Sequence, residues 1–137
     1  MKLMLLTLML CIRLAAQQPA EDPLRDSLFP PEAVMQHQQA LGLSQEQKNG
    51  LKQELRQVQA KFTELQWTLQ DEMEHLTSLL RQSKVDEKQA AAQLDKVLAA
   101  EREIKRAQLM LLIRMKNVLT AAQQTQLREL IEKSKIK

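Results

Sequence analysis

The chain has 137 residues, room for one small domain. Its two glycines leave no Gly-rich phosphate loop, its single cysteine allows no internal disulfide, and one tryptophan, two phenylalanines and no tyrosine give little for stacking on bases. The formal net charge of +3 is modest, and 27 % charged with 44 % hydrophobic residues suits a folded, solvated chain.

Residues 1–16, MKLMLLTLMLCIRLAA, combine an early Lys2, an apolar run from Leu3 to Ile12 and the small pair Ala15 and Ala16. That is the layout of a secretory signal peptide cut after Ala16. The run is too short to span a bilayer, which takes about 20 apolar residues. Leu10 stands before Cys11 where a lipoprotein needs a small residue. Cleavage removes Lys2, Arg13 and Cys11, so the exported part is nearly neutral and thiol-free. No nucleic-acid partner is indicated, and helix packing has to supply what a disulfide otherwise would.

Residues 17–29 carry Pro19 and Pro23 and read as a flexible lead-in to a domain over 30–137. Pro31 suits a first helical turn, Glu32 its positive end and Gly42 its stop, which predicts a short helix over 31–41. Next comes a phrase written twice: "LSQEQ" at Leu43–Gln47 and "LTAAQ" at Leu119–Gln123, each followed by Leu and a basic residue at the same offset. Ser44 with Gln47, and Thr120 with Gln123, make capping boxes. The hydroxyl accepts from the N3 backbone amide while the glutamine reaches back to the cap. Asp86 with Gln89 predicts a third box.

After Ser44 the apolar positions Leu51, Leu55, Val58, Phe62, Leu65, Leu69, Met73, Leu76 and Leu80 recur in steps of three and four with one stutter. They predict a helix over about 45–82. Ala90, Leu94, Val97, Ala100, Ile104, Ala107, Leu111, Met115 and Val118 predict a second over about 87–117. Folding back through "QSKVDE" pairs Leu80 with Ala90, Leu76 with Leu94, Met73 with Val97, Leu69 with Ala100 and Leu51 with Val118. A last helix over about 121–134 returns along this hairpin. The expected fold is all-α, four helices with a long central antiparallel helical hairpin.

Catalysis finds little material. His37 and His75 are the only histidines, and Glu72 and Glu74 point to different faces of a helix. One histidine per helix is too few for a closed metal site within one chain. No cofactor is expected, and the chain is not expected to be an enzyme.

The seam leaves other apolar groups unburied. Leu109 to Ile113 are five consecutive apolar residues, with Arg102, Lys105 and Arg106 just before them and Arg114 and Lys116 just after. Packing within the fold accounts for some of these side chains. Apolar surface fringed by long cationic stems, with a soft methionine, also suits loose binding of varied partners. Arg102, Lys105, Arg106, Leu109, Met110, Leu112 and Ile113 are the candidate binding residues. Trp67, on the far side from the seam, is a further candidate contact.

A signal peptide, four helices with a long hairpin and the doubled L-[ST]-x-x-Q phrase resemble the Spy/CpxP family of periplasmic chaperones and the related periplasmic heavy-metal sensors. The likeness spans about residues 30–133, with Ser44 where the family usually has threonine. It implies a cradle-like antiparallel homodimer in the periplasm whose basic, partly apolar face holds unfolded or partly folded proteins without ATP, as part of an envelope stress response. It also implies an alternative, a regulatory or sensor subunit docking on a membrane sensor or anti-sigma partner. Metal-sensing relatives use several histidines per subunit, whereas this chain has only His37 and His75.

Overall fold

The computed structural model describes Leu24 and residues 27–137. The expected signal peptide and most of the lead-in lie outside these residues. Within them the chain is helical throughout, with α1 (Pro31–Gln36), α2 (Gln45–Leu80), α3 (Glu87–Val118) and α4 (Ala121–Lys135), and no strand. None of these helices is long and apolar enough to cross a membrane.

α1 is shorter than the 31–41 the sequence predicts. Pro31 takes the first helical position, but Pro30 as N-cap offers no side-chain acceptor, and so short a helix has little intrinsic stability. Past His37 the chain continues in turns, with Leu41 N–H on the His37 carbonyl at 3.0 Å and Gly42 N–H on the Gln39 carbonyl at 3.1 Å. Gly42 ends them at φ 61°, a left-handed conformation that costs glycine no Cβ clash.

Both copies of the doubled phrase form complete capping boxes. Ser44 Oγ accepts from Gln47 N–H at 3.1 Å while Gln47 Oε1 accepts from Ser44 N–H at 2.9 Å. Thr120 and Gln123 repeat this at 3.2 and 2.9 Å. Asp86 is an N-cap only. Its Oδ1 accepts from Lys88 and Gln89 N–H at 3.0 and 3.1 Å, and the exposed Gln89 side chain makes no return bond.

The two boxes also hold each other. Gln47 Nε2 donates to Gln123 Oε1 at 2.7 Å, and Gln123 Nε2 donates back to Gln47 Oε1 at 3.2 Å. The second donor hydrogen of each amide goes to a backbone carbonyl, Val118 at 2.9 Å for Gln47 and Leu41 at 3.2 Å for Gln123. Each glutamine thus fills two donor and two acceptor sites, the full capacity of a primary amide. Local pattern alone predicts two helix starts; the structure joins them into one clasp that ties the α1–α2 and α3–α4 connections together.

α2 and α3 form the expected antiparallel hairpin through a turn at 81–86. Its seam differs from the apolar pairing in one respect. Met73, Leu94 and Leu80, expected inside, are 45 %, 43 % and 55 % exposed, while Gln93 is 7 % exposed. Gln93 Nε2 donates to the Glu72 carbonyl at 2.9 Å and to Glu72 Oε2 at 2.6 Å. The register is accordingly about one helical turn away from the expected one, and at the other end Gln47 Nε2 reaches the Val118 carbonyl. With Glu72 and Gln93 admitted, α2 faces α3 through Leu51, Leu55, Val58, Phe62, Leu65, Leu69, Glu72 and Leu76, alternating steps of four and three without a stutter. A seam of this period matches apolar to apolar in more than one register, so the polar pair and the clasp decide.

The core sits at the open end of the hairpin. Phe29, Val34, Leu41, Leu43, Leu51, Met115, Leu119 and Leu127 form one buried cluster, backed by Leu55, Leu111, Val118, Leu130 and Ile131. α4 packs on α1 and this base rather than returning along the hairpin. Arg128 stacks 5.5 Å over the Phe29 ring, and Lys116 Nζ donates to the Ser27 carbonyl at 3.0 Å, fastening the segment before α1. Each large side chain buried here is worth roughly 1.5–3 kcal/mol, so most of the stability resides in the base. Beyond it the hairpin projects as an arm in which Leu65, Gln93, Val97 and Ala100 are the buried side chains among the described residues.

Candidate functional site

The arm is two helices thick, so residues flanking its seam stay at the surface. On one flank Val58, Leu65, Ala107 and Met110 line a shallow groove of about 230 Å³, rimmed by Gln57, Lys61, Glu103, Arg106 and Arg114. α2 supplies one wall and α3 the other. Residues spaced three and four apart on each helix fall on one side of the seam, which brings them together. Of the binding residues the sequence proposes, the groove gathers Arg106 and Met110, the latter 38 % exposed.

The others are placed differently. Arg102 and Lys105 are exposed on α3 outside the groove, and Leu109, Leu112 and Ile113 are half-buried. Trp67 does not line the groove and is 62 % exposed. The α2 wall, Val58, Lys61 and Leu65, escaped sequence reasoning. Its signal was present as Gln57 and Lys61 beside the apolar seam, but which flank of α2 meets which flank of α3 depends on the register.

The rim of the groove carries three cations, Lys61, Arg106 and Arg114, and one carboxylate, Glu103. Arg114 Nη1 pairs with Glu54 Oε2 at 3.1 Å and Lys61 Nζ with Glu64 Oε2 at 3.3 Å. Among the described residues Arg102, Lys105 and Arg106 are in no ion pair. These charges sit beside exposed apolar groups on the same helix, Leu98 at 49 % four residues before Arg102 and Met110 at 38 % four residues after Arg106. Such a surface attracts segments that carry both apolar and acidic side chains. Ser44, Gln47, Thr120 and Gln123 lie in the clasp at the base and serve the architecture.

A family model described as heavy-metal resistance matches residues 3–131, nearly the whole chain, and the chain belongs to that family. No curated protein and no solved structure shows significant similarity to it. The family's description raises a heavy-metal ion as ligand, and the donors among the described residues do not fit one. His37 is half-buried in the turn after α1 and His75 is exposed on α2. Among the described residues no three His, Cys, Asp or Glu side chains come together as a metal site.

Proposed function

We propose that this member of the heavy-metal resistance family is an ATP-independent holdase. It is exported to the periplasm after cleavage near Ala16 and binds unfolded or partly folded proteins on the arm. The observation that carries this reading is the groove in which Arg106 and Lys61 flank exposed Met110 beside Val58. A shallow, open, cationic and apolar surface grips many sequences weakly, as a holdase must, and needs no nucleotide to let go. The chain works as a homodimer on this reading, the second copy covering part of the apolar surface that a two-helix arm leaves exposed.

The test is suppression of aggregation of a chemically unfolded client upon dilution. Met110→Ser with Arg106→Gln should weaken protection clearly while changing the stability of the protein by less than about 1 kcal/mol, as surface substitutions usually do. The Arg106 part of the effect should fade at high salt. Wild-type protein that fails to protect any client, or a double variant that protects as well per folded molecule, would overturn the reading.

A further inference from the structure

Gln93 is a polar side chain buried in a seam that is otherwise apolar, and it stands at a boundary. On its base side Val97, Ala100 and Leu65 are 3 %, 6 % and 9 % exposed. On its tip side no residue of 73–92 is buried, and the seam positions Leu76 and Ala90 are half-buried. Helix pairs are held by buried apolar contact, and past this boundary such contact is sparse. At the boundary itself the helices are joined by the amide of Gln93, which spans the seam to both the carbonyl and the carboxylate of Glu72.

We infer that Gln93 and Glu72 form a latch, and that the tip of the arm beyond them (residues 73–92) opens and closes as a unit while the base stays folded. Closed, the amide satisfies its donors on Glu72. Open, both groups reach water, which compensates most of the lost hydrogen bonding, so release costs little. Opening uncovers the inner faces of Leu76 and Ala90, the seam positions next toward the tip. Where the arm is a holdase surface, the opened tip offers it a second apolar strip. That link rests on the reading above, whereas the latch itself does not.

Hydrogen exchange resolved along the full chain tests it. Gln93→Glu sets two carboxylates against each other and should speed amide exchange across 73–92 by roughly tenfold or more, with exchange at 110–130 unchanged. Reversing the pair, Glu72→Gln with Gln93→Glu, restores the hydrogen bond between the side chains but not the one to the residue 72 carbonyl, and should return the tip part of the way to wild-type exchange. Unchanged exchange at the tip, equal acceleration in base and tip, or no recovery in the reversed pair would overturn the latch. A holdase reading that is wrong would show itself separately, as wild-type protein that gives no protection while the exchange pattern still responds.

Discussion

Replacing Gln123 with alanine is the sharpest probe of the clasp. The amide makes four hydrogen bonds: to Thr120 N–H at 2.9 Å, to the Leu41 carbonyl at 3.2 Å, and two with the Gln47 amide at 2.7 and 3.2 Å. Each contributes about 0.5–1.5 kcal/mol net. The site is part-buried, so water recovers some of the loss, and the expected cost is about 2–4 kcal/mol. Thr120→Ala removes one exposed bond, Gln123 N–H to Thr120 Oγ1 at 3.2 Å, and should cost about 1 kcal/mol. Capping logic alone ranks the two the other way, because the glutamine then supplies only the returning half of the box. Urea denaturation of both variants, with the slope held constant, gives the order directly. A double-mutant cycle with Gln47→Ala should show a coupling of about 1–2 kcal/mol, since either truncation already breaks the mutual pair. A Gln123→Ala variant no less stable than Thr120→Ala, together with additive Gln47 and Gln123 effects, would refute the clasp.

The two glycines should respond in opposite directions. Gly42→Ala forces a Cβ into φ 61° and should destabilise by about 1 kcal/mol, whereas Gly50, inside α2 with open space around its Cβ position, should gain about 0.5–1 kcal/mol as alanine; thermal melts read both. Met115→Ala, at 0 % exposure in the base, should cost about 2–5 kcal/mol. Leu98→Ala on the arm, 49 % exposed, should stay within about 0.5 kcal/mol. Equal losses at these two positions would contradict a core confined to the base.

Helix starts were legible because Pro31 opens α1 and Ser44, Asp86 and Thr120 announce the other three, whereas the stop of α1 was not, since Gly42 ends the turns that follow it. The hairpin was legible from two apolar stripes separated by a polar turn. Its register was not. A seam near seven-residue periodicity pairs leucine with leucine in neighbouring registers alike, and scoring only apolar positions set Met73 and Leu94 inside where Glu72 and Gln93 belong. The stutter required to keep Met73 in line was itself the clue, since substituting Glu72 removes it. The clasp was written in the sequence as repetition, but a capping motif is a statement about one helix end. Nothing local says that two such ends touch. The groove shared this fate: α3 announced Arg106 and Met110 by composition, while the facing Val58 and Lys61 emerge only once the two helices are set against each other.

The unbroken spacing of the arm makes its length an adjustable quantity. Excising seven residues from α2 and the seven facing them in α3, anywhere between base and latch, brings equivalent positions back into alignment and shortens the arm by about 10 Å. The turn at the tip and both capping boxes are left as they were. Inserting a matched block does the reverse. Reach can thus be changed by drift in steps of one such block with the four-helix end unaltered, whereas an excision from one helix alone would slide every seam pairing beyond it by about 10 Å.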